Sequence, residues 1–145
     1  MAAGMTFKYY YPLQVRYSDF DTQWHVNNAR LATFLEQARL NYIIEVGLFS
    51  GSSFLDFPFV VADLHIAFRE PIILGEPIIV GVRTSHIGTK SVKLEYSVEN
   101  PDSNALKATA DTVLVAYDNR LLKSIVVPQE WRQKLETFEE RSFAG

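Results

Sequence analysis

The stretch from about Ala29 to Val46 constrains this chain's fold more than any other. Leu31, Leu35, Ala38, Tyr42 and Val46 step by four, three, four and four residues, which is one face of a helix. Phe34, Leu40, Ile43 and Ile44 widen that face until the helix is apolar over much of its girth. Such a helix needs burial on several sides, and a sheet curved around it provides that. Asn27 or Asn28 can cap its start, because a carboxamide oxygen accepts from an N–H of the first turn. Gly47 is the natural stop, since glycine enters the left-handed region freely. At the usual rise per residue the helix is roughly 27 Å long.

The rest of the chain supplies the sheet. Gln14-Val15-Arg16-Tyr17 alternates and reads as a first strand, within an aromatic and β-branched run from Phe7 to Tyr17. Residues 1–6 read as a loose start. After the helix, Leu48 to Pro58 is a loop with an apolar tip, rich in Phe, Gly and Ser. Strands follow at Phe59–Phe68, Ile78–His86, Ser91–Glu99 and Ala105–Asp118, with a last short one at Leu121–Val127. Asn100-Pro101-Asp102-Ser103-Asn104 is a strong turn. Pro128 suits the first turn of a closing helix carrying Trp131, Leu135 and Phe138 on one face, and the charged tail after it is expected to fray. Hairpin-length links favour antiparallel pairing. The expected fold is α+β, a mostly antiparallel curved sheet wrapped around one long central helix. With 145 residues, 48 % of them hydrophobic, a single domain over 1–145 accounts for the whole chain.

Several function classes fall away. A net charge of −3 gives no basic excess for nucleic acid or an acidic membrane surface. Without cysteine there are no disulfides and no thiolate metal sites. The first residues lack the basic and apolar regions of a signal peptide, and no apolar run approaches a membrane span. The expectation is a cytoplasmic protein with no metal and no cofactor.

Chemistry concentrates just before the helix. Asp19-Phe20-Asp21-Thr22-Gln23-Trp24-His25-Val26-Asn27-Asn28 holds two carboxylates, an imidazole and two carboxamides, and it has no regular period. A helix N-terminus presents unpaired N–H groups and the positive end of a dipole. An acid therefore stands next to a ready-made electrophilic site. The two remaining histidines, His65 and His86, lie in strands without partners nearby in sequence and read as packing or surface groups. Glu36 and Arg39, three apart on the helix, read as an ion pair.

The string Val15-Arg16-Tyr17-Ser18-Asp19-Phe20-Asp21, then His25-Val26-Asn27-Asn28, then Phe34-Leu35-Glu36-Gln37-Ala38-Arg39, resembles the hot-dog fold acyl-CoA thioesterases of the 4-hydroxybenzoyl-CoA thioesterase-like family. Phe68-Arg69-Glu70-Pro71, Gly75-Glu76 and Gly88-Thr89-Lys90-Ser91 extend the likeness, which spans about Phe7 to Trp131. The resemblance implies that Asp21 is the catalytic carboxylate and that the backbone N–H at or near Asn28 polarises the carbonyl. It brings the pantetheine arm and nucleotide of coenzyme A to Thr89, Lys90 and Ser91. It also implies a homodimer joined edge to edge with shared active sites, or a homotetramer built from such pairs. One departure stands out. The family often has Gly before the histidine, and this chain has Trp24, whose indole is expected to shape the substrate pocket.

An ionised Asp is an adequate nucleophile toward a thioester, and it can also activate a water. His25 could orient Asp21, donate to the thioester or simply tie the loop. Asn27 is a substrate-binding candidate as well as a cap. Hydrolysis of an acyl-CoA to free acid and coenzyme A is the expected activity. The rivals are a thioesterase acting on acyl carrier protein, against which the negative charge argues mildly, and a non-catalytic acyl-CoA-binding domain, which would not need Asp21.

Overall fold

The computed structural model describes residues 6–143, so most of the expected loose start lies outside the described residues. Strand β1 (Tyr9–Leu13) leads through a 3-10 turn to helix α1 (Asn28–Val46). Strands β2 (Phe59–Phe68), β3 (Ile78–Ile87), β4 (Ser91–Glu99), β5 (Leu106–Asp118) and β6 (Lys123–Ser124) follow, and helix α2 (Gln129–Glu139) closes the chain. The sheet has the order β1-β3-β4-β5-β2, with β6 added beside β5, and every pairing is antiparallel. This is the α+β hot-dog arrangement expected from the sequence.

Helix α1 lies over β1 and β3. Its side chains Leu35, Ala38, Tyr42 and Ile43 are completely or almost completely buried against Val80, Val82, Leu94 and Tyr96 of the sheet. Asn27 is the cap: its Oδ1 accepts from Ala29 N–H at 2.9 Å. Gly47 ends the helix at φ 96°, in the left-handed region, as its residue type requires. Burial is not uniform around the helix, however. Ile44 is 40 % exposed and Leu40 only half-buried.

Four expectations need correction. The first strand is Tyr9–Leu13, not Gln14–Tyr17. Leu13 pairs with Ile78, the first residue of β3, and the residue before it is Pro77, which has no N–H to continue the ladder. The alternating run therefore leaves the sheet, and Asp19 turns it by accepting Arg16 N–H at 2.7 Å. The last strand is only Lys123–Ser124, because Leu122 sits at φ 55° in the turn that precedes it. The tail does not fray as far as Phe143: that ring is buried, its N–H donates to Glu136 at 2.7 Å, and Arg132 reaches its carbonyl at 3.1 Å. Pro128 is the residue just before α2, one place earlier than expected. Trp131 packs edge-on against Phe59 and Phe138 against Tyr42, so α2 does present the expected face.

A buried polar knot ties α2 to the core. Tyr42 hydroxyl donates to Glu139 at 2.5 Å and lies 2.7 Å from Thr84 Oγ1, while Thr84 N–H donates to the same carboxylate at 3.1 Å. Burial, and then the Glu139 charge, push the Tyr42 hydroxyl far above its ordinary pKa, so it stays a donor.

Candidate active site

The segment between β1 and α1 folds as a miniature hairpin. Phe20 and Val26 form an isolated antiparallel bridge, Asp21 N–H donates to His25 carbonyl at 2.8 Å, and Trp24 N–H donates to Asp21 carbonyl at 3.1 Å. Asp21 also braces the turn with its side chain: Oδ1 accepts Gln23 N–H at 2.8 Å and His25 N–H at 3.3 Å. Short acidic side chains suit this local bonding. Its second carboxylate oxygen has no hydrogen-bond partner among the described residues.

Asp19 anchors the base of the hairpin. It is buried, its carbonyl accepts Asn27 N–H at 2.8 Å, and Arg30 Nε lies 3.8 Å from its carboxylate. From the other side, the strap between β2 and β3 holds the hairpin. Val26 N–H donates to Ile72 carbonyl at 2.9 Å, and His25 bridges to Ile73.

These constraints bring Asp21, His25, Asn27 and Asn28 to one cavity of about 480 Å³ at the amino end of α1, shared with Leu31 and Phe68. Asn27 spends its side chain on the helix cap, while Asn28 N–H, the first of the helix, has no hydrogen-bond partner among the described residues. The dipole's positive end and a free donor thus open into the same space as the Asp21 carboxylate.

Trp24 occupies φ 61°, in the left-handed region. A glycine is at ease there and a tryptophan is not. The indole is 51 % exposed and packs edge-on against Tyr17, with ring centroids 5.8 Å apart. It does not line the cavity, although its neighbours Gln23 and His25 do.

Thr89, Lys90 and Ser91 are not brought to this cavity within one chain. They turn β3 into β4, where Lys90 carbonyl accepts Ala116 N–H and Thr89 carbonyl accepts Val127 N–H. Through β5 that end of the sheet pairs with Phe59, the start of β2, whereas the cavity sits at Phe68, its finish. The two ends are roughly 30 Å apart along the strand.

Three charged lining residues were not among the site candidates read from the sequence: Arg69 and Glu70, which figured only in the family resemblance, and Lys107. Lys107 is buried, with Nζ 2.8 Å from Glu76, 3.5 Å from Glu70 and 3.3 Å from Pro71 carbonyl. Its own carbonyl accepts Arg69 N–H at 2.9 Å and Glu70 N–H at 3.1 Å. Burial alone would raise the Glu76 carboxyl, but hydrogen bonds from Lys107, Ile73 N–H and Asn100 outweigh it and hold the group below its usual range. Lys107 therefore fastens the strap that fastens the hairpin. The available signal was a lysine near the start of a strand whose alternate residues, Ala108, Ala110, Thr112 and Leu114, are buried. Among the described residues no group of three or more His, Asp or Glu side chains is arranged to hold a metal, and no helix is long and apolar enough to cross a membrane.

Residues 15–135 match the sequence profile of the thioesterase-like superfamily. The long-chain acyl-CoA thioesterase FadM of Escherichia coli is 28 % identical over 124 residues, which cover 86 % of this chain and 94 % of that protein. Among solved structures, a thioesterase from Thermus thermophilus complexed with coenzyme A and Zn is 28 % identical, with a TM-score of 0.84 and coverage of 94 % of this chain and 98 % of the other. The probable thioesterase YbaW of Escherichia coli gives 28 % identity and a TM-score of 0.73, over 90 % of this chain and 98 % of that one.

Proposed function

This chain belongs to the thioesterase-like superfamily, and from that premise we propose that it is an acyl-CoA thioesterase that releases a free carboxylic acid and coenzyme A. The observation that carries the reading is the pairing, in one cavity, of an Asp21 carboxylate oxygen with an Asn28 N–H, neither with another partner among the described residues. The thioester carbonyl oxygen accepts from Asn28 N–H. As the tetrahedral centre forms, its negative charge develops against the helix dipole, where one such donor is worth about 3 kcal/mol. Asp21 acts from the opposite side, either attacking the carbonyl carbon to form a mixed anhydride or drawing a proton from an attacking water. The thiolate of coenzyme A leaves; on the first route a water then cleaves the anhydride, which releases the free acid and restores the Asp21 carboxylate. His25 holds the turn that aims Asp21 through its backbone N–H and presents its imidazole to the cavity, while Asn27 fixes the helix end.

The assembly extends this reading. The outer edge of β2 is unpaired among the described residues, and an open edge of this length invites pairing. Antiparallel pairing of two β2 strands about a twofold sets the Phe59 end of one against the Phe68 end of the other. The partner subunit's Thr89, Lys90 and Ser91 then approach the cavity, where Lys90 meets a phosphate of coenzyme A. Trp24, between the lining residues Gln23 and His25 in the chain, is placed by this reading on the path of the pantetheine arm. The working unit is a homodimer, or a homotetramer of such pairs, in the cytoplasm, with residues 1–145 of each subunit forming one domain.

Free-thiol release from a panel of short, long and aryl CoA thioesters tests the activity. Single-turnover hydrolysis in heavy-oxygen water tests the route. Label appearing first in Asp21 marks attack by the carboxylate and rules out the pure activated-water route. No thiol release from any member of the panel refutes the reading.

A further inference from the structure

Strand β2 is an edge strand with an unusual face. Its register against β5 pairs Val61 with Leu114 and Asp63 with Val113, so Ala62 is bulged out of the ladder. Strict alternation would send residues 59, 61, 63, 65 and 67 to the helix side of the sheet, placing Asp63 and His65 there. The bulge resets the parity. Val61, Leu64, Ile66 and Phe68 pair with Leu114, Thr112, Ala110 and Ala108, and Leu114, Thr112, Ala110 and Ala108 are buried positions of the sheet's inner face. Five apolar side chains, Phe59, Val61, Leu64, Ile66 and Phe68, thereby form a lane on that face, with Asp63 and His65 turned away.

The lane is uncovered in the chain. Val61, Leu64 and Phe68 are each more than 40 % exposed, and α1 lies over β1 and β3 instead. At one end, Phe68 lines the Asp21 cavity. At the other, Phe59 and Val61 join Leu40, Phe54 and Phe57 around a second cavity of about 280 Å³. Arg39 stands in the wall of that second cavity. Its side chain is 9 % exposed, Nη1 reaches Tyr96 hydroxyl at 3.3 Å, and Nη2 comes no nearer to Glu36 than 3.9 Å. The apolar path therefore runs from the reaction centre to a charged stop.

Resting on the thioesterase reading, we infer that this lane is the acyl-chain site, that it takes a long aliphatic chain, and that Arg39 sets the longest chain accepted. Measured along α1, the wall from Glu36 to Leu40 lies roughly 12–18 Å beyond Asn28. Measured along β2, Val61 lies roughly 23 Å from Phe68. An extended chain advances about 1.2 Å per bond, so roughly ten to eighteen carbons span the distance. An acetyl or benzoyl group would leave most of the lane empty. A chain that outruns the lane must push a methyl group against a guanidinium short of partners, which burial makes unfavourable.

Calorimetric titration with butyl, octyl, dodecyl and hexadecyl thioethers of coenzyme A tests the lane without depending on hydrolysis. Affinity is expected to rise about tenfold or more from butyl to dodecyl, given the area buried per methylene. Ile66→Trp, Leu64→Trp and Val61→Trp should end that gain at successively longer chains, in that order. A variant that merely loosens the fold weakens all four ligands alike. Arg39→Met should strengthen hexadecyl binding relative to dodecyl. A flat dependence on chain length in the wild type, or blocking variants with no ordered cut-off, overturns the inference, as does a hexadecyl-to-dodecyl ratio unchanged in Arg39→Met. Chain-length-dependent binding with no thiol release from acyl-CoA would keep the lane and refute the hydrolase.

Discussion

Replacing Asp21 by Asn and by Ala separates the chemistry of this side chain from its structural work. In the structure Asp21 Oδ1 accepts Gln23 N–H at 2.8 Å and His25 N–H at 3.3 Å. An asparagine oxygen can accept both, so Asp21→Asn keeps the turn and puts an amide nitrogen where the free carboxylate oxygen stood. An amide is neither a nucleophile toward the thioester nor a base for water. The expected loss in kcat is about 10²–10⁴-fold, the usual worth of such a group, which corresponds to roughly 3–5 kcal/mol of barrier. Melting temperature should stay within about a degree or two. Asp21→Ala loses the same chemistry and both accepted hydrogen bonds as well. Because the turn is exposed, each of these bonds is worth no more than about 0.5–1 kcal/mol, the low end of the usual range. For a chain of this size that lowers the melting temperature by a few degrees, at about 2–4 °C per kcal/mol. Free-thiol detection with a saturating acyl-CoA, alongside thermal unfolding of each variant, measures both effects. The reasoning fails if Asp21→Asn hydrolyses at the wild-type rate. It also fails if Asp21→Asn loses as much stability as Asp21→Ala, because the activity loss would then follow from a collapsed loop.

Other outcomes follow from the same geometry. Tyr42→Phe removes the donor to buried Glu139 while keeping the ring, and should cost about 2–3 kcal/mol in chemical denaturation; a cost below about 0.5 kcal/mol would mean that the knot does not hold α2. Trp24→Gly relieves the strained φ of 61° but loses the Tyr17 contact, so denaturation should show a net change within about 1 kcal/mol. The Glu76 carboxyl is held below its unfolded value, so its contribution to stability is fully present above that unfolded value and fades as pH falls through the lower folded one. Lys107→Met should therefore move acid unfolding to higher pH, and an unchanged acid midpoint would show that Lys107 does not stabilise that carboxylate. Lys90→Ala should raise KM for acyl-CoA with little change in kcat, and sedimentation should give the same molecular mass as for the wild type.

Local rules settled much of this molecule. The spacing of Leu31, Leu35, Ala38, Tyr42 and Val46, the cap at Asn27 and the stop at Gly47 specify α1 within a few residues of chain, and α1 forms where they place it. Strands Phe59–Phe68 and Ser91–Glu99 have the predicted limits because their ends carry their own turn residues. The Asp21–Asn28 cluster was equally legible, since a turn, a cap and a helix start act over short separations. Tertiary structure decided whatever depended on a distant partner. Gln14–Tyr17 alternates like a strand, yet it finds Pro77 where a ladder needs an N–H. Lys107 lines the cavity because β5 runs beside the strap, and Thr89–Ser91 end far from it because β3 and β4 turn at the opposite end of the sheet. A bulge at Ala62, invisible until β5 sets the register, decides which side of β2 faces the helix. The physical division is one of range: backbone dihedrals, capping bonds and side-chain periodicity are fixed within a turn or two of chain, whereas register, neighbouring charge and the continuity of a groove exist only once remote segments pair.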